Sequence, residues 1–380
     1  MAQTPKLELL VIANRYPGGK QYGGEFIHVR SKYYLNKINF AVVDMRPSIN
    51  GVLETAHEGV RVIRSPFQHL SAILKSNPAK AIVIHSPSQA TFELVQRFYK
   101  NNQIITIHHG SESLDLEKRY SFMKSDLSEK DWAYLQRSQK RKLSFIKDLT
   151  ASADITKIFV SNYLAQACSE DTKSKLKNFK IIHNGVAEDF FLNQQQIESK
   201  RKERKILILR DFSSTHAADI AISIVNRLAQ RSDFNEYKIS ILGFGIHWSA
   251  WTCPVAGYKN TTLREGYVTQ DLVPGIMHSH DILLVPTRHD TQGLLMCEGM
   301  ASGMLCVTNR STGIPEFISD KEGVLSNSDS PAAICEQMYH VINNSEEYLQ
   351  RRILAMQRAR SQFSPKSTAQ MELELFSERF

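Results

Sequence analysis

A chain of 380 residues is too long for one ordinary α/β domain and comfortable for two, each large enough to bury its own core. Hydrophobic residues make up 42% and charged residues 23%, a globular composition with no disordered or collagenous bias. Lys and Arg exceed Asp and Glu by eight, giving a pI near 9.1, which suits anionic partners such as nucleotide diphosphates, nucleic acid or acidic lipid headgroups. The N-terminal run MAQTPKLELLVIANRYPGG reads as a strand followed by a turn, not as a secretion signal. No window approaches the ~18 to 20 uninterrupted apolar residues of a spanning helix, so a membrane contact is expected to be peripheral. The five cysteines, Cys168, Cys253, Cys297, Cys306 and Cys335, form no CxxC pair, which argues against a zinc site or disulfide framework and for the reducing cytoplasm.

Short aliphatic and β-branched runs recur with helix-like segments between them. In chain order they are LELLVIA near Leu7, INFAVVD ending at Asp44, AIVIH ending at His85, QIITIH ending at His108 and TKIFV ending at Val160. The polar stretch NQQQIESKRKERK interrupts the series. It resumes with KILIL ending at Leu209, YKISIL ending at Leu242, DILLV ending at Val285 and MLCVT ending at Thr308. Strands alternating with helices predict parallel sheets covered on both faces. The expected organisation is therefore two doubly wound, Rossmann-like domains, residues 1–190 and 205–360, joined by a linker at 191–204, with a C-terminal helix in 361–380 packing back toward the first domain. The basic run Lys200–Lys205 reads as part of that solvated linker. A ligand is expected between the halves, at the carboxyl ends of the strands.

The stretch Pro286–Phe317, PTRHDTQGLLMCEGMASGMLCVTNRSTGIPEF, follows a buried strand and places Asp290 and Glu298 eight positions apart. A carboxylate offers two acceptor oxygens to a ribose diol, and near a helix N-terminus its charge is stabilised by unpaired backbone N–H groups. Gln292, Gly293, Leu294 and Leu295 open that helix and can donate to phosphate or sugar oxygens. The plain alternative is a capped helix carrying two surface acids.

Here the sequence resembles the large family of retaining GT-B glycosyltransferases (group 1, family four), whose signature is Glu, seven residues, Glu, then Ala-Met-Ala-x-Gly. Glu298, Met300, Ala301 and Gly303 fall in register, Gly313–Glu316 follows as Gly-Ile-Pro-Glu, and Asp290–Gly293 matches a bacterial subset with aspartate at the first acidic position. The resemblance implies a GT-B fold, two Rossmann-like domains facing each other across a cleft. It also implies that Asp290 faces the donor sugar hydroxyls and Glu298 the ribose. Further matches lie in family order: the Gly23–Gly24 turn after the first strand, His109 before Gly110 as the active-site histidine, Ile181–Val186 as a structural marker, and Gly243 in a Gly-x-Gly turn. Arg210 stands where relatives keep the first of two cations for the donor diphosphate. His216 replaces the lysine that relatives keep as the second. A neutral imidazole is a weaker partner for that leaving group, although a nearby phosphate raises its pKa.

What the resemblance implies, then, is a retaining, metal-independent hexosyltransferase with no cofactor. His109, Asp290, Arg210 and His216 are its catalytic group. Gly23, Gly24, Gly243, Gln292, Gly293, Leu294, Leu295 and Glu298 are its donor-binding group, and no residue is assigned to a metal. Its partners would be a nucleotide-sugar donor and a glycan or lipid-linked acceptor, at the inner face of the membrane, in surface polysaccharide synthesis. Three alternatives stay open: a non-catalytic nucleotide-sugar-binding partner subunit, a sugar-nucleotide epimerase, and a nucleic-acid-modifying transferase. The last lacks any aromatic-basic interleaving, so no nucleic acid is expected.

Overall fold

The computed structural model describes residues 6–18, 23–199 and 203–378. The chain divides into two compact units. Unit 1 comprises residues 1–116, 134–185 and 365–380, and unit 2 comprises 117–133 and 186–364. Tyr22 of the glycine turn and Lys200–Lys202 of the basic run lie outside the described residues.

Unit 1 holds eight strands: β1 Leu7–Ala13, β2 Phe40–Met45, β3 Leu53–His57, β4 Val60–Ser65, β5 Ala79–His85, β6 Ile104–His108, β7 Thr156–Phe159 and β8 Phe179–Ile181. Their order is β3-β4-β2-β1-β5-β6-β7-β8, and every pairing is parallel except the β3–β4 hairpin. β2 and β6 are buried at every residue, as expected of strands covered on both faces. Because β2 and β5 both flank β1, the winding direction reverses beside β1. The carboxyl ends at that reversal form the natural crevice of a doubly wound sheet.

Unit 2 holds β9 Lys205–Asp211, β10 Lys238–Phe244, β11 Thr261–Glu265, β12 Ile282–Leu284, β13 Leu305–Asn309 and β14 Val324–Ser326. The order β11-β10-β9-β12-β13-β14 is the 3-2-1-4-5-6 winding of a dinucleotide-binding sheet, parallel throughout, with its reversal between β9 and β12. One core packs Ile206, Ile208, Ile224, Ile241 and Leu284. A second, against Leu283, Met296, Met300 and Cys306, seats the helix Leu294–Ala301.

The segment 191–204, read from sequence as a linker, carries a short helix, Gln194–Ser199, whose Ile197 is fully buried. Ile197 packs with Ile353 and Met356, so an apolar side chain in a polar run finds a core. Arg204, at the end of the basic run, pairs with Asp233 at 2.7 Å and Glu236 at 3.0 Å.

The C-terminal helix Pro365–Ser377 belongs to unit 1. Its Glu372 has no exposed surface and pairs with Arg30, itself 1% exposed, on the helix Glu25–Tyr34. The Tyr34 hydroxyl donates to the same carboxylate, and Arg30 Nη2 donates to Asn184 Oδ1 at 2.7 Å. Removing one partner of such a pair strands a buried charge. Glu372→Ala is therefore expected to lower unfolding stability by about 3–5 kcal/mol. Arg30→Met combined with Glu372→Leu should recover most of it, as read by denaturant midpoints followed by circular dichroism. A cost below about 1 kcal/mol for the single change would contradict the burial of the pair.

Candidate functional site

Unit 1 brings Gly23, Gly24 and His109 to the carboxyl ends of its central strands. Gly24 ends the turn after β1 at φ 89°, and a Cβ there would sit 2.3 Å from the Arg15 carbonyl oxygen. Only glycine allows both the left-handed backbone and this approach. The helix Glu25–Tyr34 starts immediately afterwards, and the Phe26 ring in its first turn lies 4.6 Å from the His109 ring. His109 follows β6. The Glu112 carboxylate accepts the backbone N–H of His109 and, at 3.0 Å, that of Gly110, which fixes the turn. The His109 ring stacks on His85, the last residue of β5, with His109 Nε2 2.9 Å from His85 Nδ1, and it also bonds the Asn184 side chain. Burial first, then His85 and Arg30, push its pKa well below the ordinary histidine value. His109 is thus neutral in the unliganded protein.

Unit 2 gathers the other candidates at the reversal between β9 and β12. Arg210 sits near the end of β9 in register with Gly243 of β10. A Cβ on Gly243 would lie 1.9 Å from the Arg210 carbonyl oxygen, so the two strands could not approach this closely with any larger residue. Arg210 is buried, and its Nη2 donates to the Pro286 carbonyl at 2.9 Å, reaching from the end of β9 to the loop after β12. Its Nε is buried with no hydrogen-bond partner. Burial lowers its pKa to about 10, with Asp290 and Asp211 acting the other way, so the cation persists at neutral pH.

His216 closes the turn Ser214–His216 ahead of the helix Ala218–Leu228. The turn is stapled to the loop after β12: Arg288 N–H donates to Thr215 O at 3.0 Å, and Arg288 Nη1 donates to Ser214 O at 2.9 Å. The same guanidinium grips the Asp219 carboxylate through two bonds of 2.9 and 2.6 Å. From the other side Asp126 accepts Ser214 N–H at 2.8 Å and faces His247 Nε2 at 2.9 Å. His216 Nδ1 is buried without a hydrogen-bond partner. Burial, reinforced by Arg210 and opposed by Asp290, lowers its pKa to about 4. In the unliganded protein the imidazole at 216 is therefore neutral, held so by burial first and by Arg210 second.

Asp290 Oδ1 accepts the backbone N–H groups of Gln292 at 3.1 Å and Gly293 at 2.6 Å, directly ahead of the helix Leu294–Ala301. Thr312 and Gly313 pin its backbone: Thr312 Oγ1 accepts Asp290 N–H at 2.8 Å, and Gly313 N–H donates to Asp290 O at 2.9 Å. Gln292 is buried, while Leu294 and Leu295 are half-buried. Glu298 is 8% exposed and accepts from Gln270 Nε2 at 3.3 Å, so it is no surface acid. Arg210, His216 and Asp290 thus act on one another electrostatically, with Gly243 and the turn Gln292–Gly293 at the ends of the same sheet.

Sequence reasoning missed Asp126, Asp219, Arg288 and His247, which hold the His216 turn. None has a family signature, and three of them are distant in sequence from the turn they hold. It also passed over His85 and treated Asn184 only as a marker.

These arrangements were compared with known proteins. Residues 203–344 match the family model for glycosyl transferases group 1. The match covers most of unit 2, including Arg210, His216, Asp290 and Glu298. Among curated proteins, an uncharacterized 41.2 kDa protein in the cps region of Klebsiella pneumoniae is 23% identical over 188 residues, 48% of this chain and 50% of that one. An uncharacterized glycosyltransferase of Methanocaldococcus jannaschii is 25% identical over 204 residues, 53% of each. The chain thus spans about half the length of the curated relatives it matches. Sucrose-phosphate synthase from Thermosynechococcus elongatus superposes with a TM-score of 0.72 at 14% identity, covering 97% of this chain and 98% of that one. Anabaena HepE in complex with UDP and glucose gives 0.70 at 12%, covering 98% and 100%. WaaG, a glycosyltransferase involved in lipopolysaccharide biosynthesis, gives 0.71 at 13%, covering 97% and 99%. At such identities the likeness establishes the fold, and that fold is GT-B.

The depressed histidines carry a direct consequence for pH. A histidine whose folded pKa lies below its unfolded value of about 6.5 favours folding above that pH, and the contribution is lost as pH falls toward the folded pKa. His108, lowered to about 3 by burial and by Lys157, and His109 are in this position, as is His216. Their imidazole NMR resonances are expected to stay at neutral-form positions from about pH 7.5 to 5, whereas free histidine titrates within that range. A midpoint near 6.5 for His108 or His109 would contradict their burial.

Proposed function

We propose that the chain is a retaining glycosyltransferase that moves a sugar from a nucleotide-sugar donor to a hydroxyl of a glycan or lipid-linked glycan. The observation that carries this reading is the buried Arg210 cation with its Nε unpartnered, beside His216 and Asp290 at the reversal of a 3-2-1-4-5-6 sheet. A buried guanidinium with an open donor is prepared for an anion, and that reversal is where doubly wound sheets take phosphorylated ligands. Arg210 and the first backbone N–H groups of the helix at Leu294 and Leu295 neutralise the diphosphate, Asp290 orients the donor sugar, and Glu298 accepts from the ribose hydroxyls. His109 and the Gly23–Gly24 turn of unit 1 orient the acceptor. Rate then rests on electrostatic stabilisation of the leaving group and on orientation, with cationic side chains and backbone dipoles serving in place of a metal. HepE binding UDP and glucose, and the cps-region relative, support a nucleotide-sugar donor and a role in surface polysaccharide synthesis. Among the described residues no helix is long and apolar enough to cross a membrane. We place the reaction in the cytoplasm, with peripheral contact at the inner membrane face.

A second reading has one observation in its favour. His216 is neutral when unliganded and so lends little to a departing diphosphate, which fits a nucleotide-sugar-binding partner subunit without turnover. Donor hydrolysis separates the two readings, since only an enzyme releases nucleoside diphosphate.

Calorimetry with UDP, GDP, ADP and dTDP at millimolar concentration should give heat for at least one of them. At about 100 times its Kd that ligand should stabilise the fold by ~2.7 kcal/mol. Silence from all four would overturn the reading. Glu298→Ala should weaken nucleotide binding by about 1.5–3 kcal/mol with unchanged circular dichroism.

The variant series at 216 tests the leaving-group assignment. A bound diphosphate favours the imidazolium and raises the pKa from its low unliganded value, so turnover should increase as pH falls while Asp290 stays ionised. His216→Lys should flatten that dependence and keep or raise the rate at neutral pH, because an ammonium beside a diphosphate stays charged. His216→Ala should slow the reaction and Arg210→Ala should slow it more. Wild-type behaviour of both Lys and Ala at 216 at every pH would remove this residue from the site.

A further inference from the structure

A cluster in unit 1 lies outside the groups assigned above. His28 is on the helix Glu25–Tyr34, His57 ends β3, and Glu58 occupies the β3–β4 turn at φ 45°. One ligand atom from each lies within 4.8 Å of the others. His28 is 8% exposed, and its Nε2 is buried with no hydrogen-bond partner, facing Glu58 Oε2 at 3.5 Å.

His28 Nδ1 lies 2.7 Å from the Tyr16 hydroxyl oxygen, within hydrogen-bond reach. Its other ring nitrogen, Nε2, faces Glu58. Metal-ligating histidines commonly bond their far ring nitrogen to an oxygen, which fixes the tautomer when a metal binds. We propose that His28, His57 and Glu58 form a binding site for a divalent cation of the zinc class.

Two neutral imidazoles and a carboxylate suit such an ion and leave a fourth position open. Bonds of about 2.0–2.1 Å in a tetrahedron place ligand atoms ~3.3–3.4 Å apart, close to the existing gap between His28 and Glu58. Two cations adjoin the cluster. Lys32 pairs with Glu58 at 2.7 Å, but both side chains are half exposed, and a surface pair of that kind yields readily to a metal. Arg64, near His57, is already offset by the buried Asp44 at 3.2 Å. The site holds β3 and the β3–β4 turn to the helix that follows Gly24, and it stands whether or not the chain is a transferase.

The test is zinc titration calorimetry on the full chain after chelator dialysis, at about pH 7.5, with cobalt absorption as a second readout. Wild type should bind one tight equivalent, and Co²⁺ should give the intense visible bands of a tetrahedral site. His57→Ala and Glu58→Gln, both at accessible positions, should each weaken that equivalent at least about tenfold, and Tyr16→Phe by about 10- to 100-fold through loss of the hydrogen bond to the far ring nitrogen of His28. His28→Gln should abolish it if the variant folds. With 13 histidines in the chain, weak additional binding is expected and is ignored. Unchanged affinity and stoichiometry in both His57→Ala and Glu58→Gln, or no tight equivalent in the wild type, would overturn the proposal.

Discussion

A parallel sheet buried on both faces leaves its polar chemistry little room except at the carboxyl ends of the strands. The faces of β1, β2, β5 and β6 are packed mainly with aliphatic side chains, and the buried carboxylate of Asp44, near the end of β2, is tolerated because Arg46 and Arg64 pair with it. At the strand ends the backbone turns toward helix N-termini, where N–H groups lack intrahelical acceptors and favour negative charge. Each unit obeys this constraint separately. Unit 1 puts Gly24, His85 and His109 at the ends of β1, β5 and β6, and unit 2 puts Arg210, Gly243 and Asp290 at or beyond the ends of β9, β10 and β12.

Two buried arginines show what that placement does. Arg30, on the helix Glu25–Tyr34, is met by a buried carboxylate that Tyr34 also bonds, and by Asn184. It is a closed arrangement, and its product is mechanical: the C-terminal helix, the first helix and the chain at Asn184 are joined at one guanidinium. Because Asn184 also bonds His109, the same junction fixes the ring that faces the glycine turn. Arg210 is also buried, but it is answered by one carbonyl and by carboxylates acting at a distance. Closed and open environments separate the cation that joins the helices from the cation whose Nε is left without a hydrogen-bond partner.

Much of the fold was legible because the nine aliphatic and β-branched runs named above are strands, and each ends within two residues of where its hydrophobic pattern stops. β3, β4, β8, β11 and β14 were not. LETAH and TTLRE are largely exposed, and FKI and VLS are three residues long, too short for any periodicity to register. The glycines at 24 and 243 were legible as turns, but their cause, a backbone carbonyl about 2 Å from where a Cβ would lie, is a contact between segments that no local pattern encodes. The same limit hid the turn holding His216. Its position depends on Asp126, about 90 residues away in the chain, and on Arg288, over 70 away.

That dependence also bears on charge at the candidate site. The staples around residues 213–216 hold the His216 imidazole, buried, close to a permanent cation, so its proton affinity in the unliganded chain is lowered by burial first and by Arg210 second. A lysine at the same place would be a second fixed charge beside Arg210, stable only when an anion sits between them or Asp290 turns toward them. Histidine avoids that repulsion by discharging. The unliganded site therefore carries one buried cation instead of two. If the chain binds a nucleoside diphosphate as proposed, that ligand would draw a proton onto His216, and its affinity would depend on pH in a way that two permanent cations would not produce.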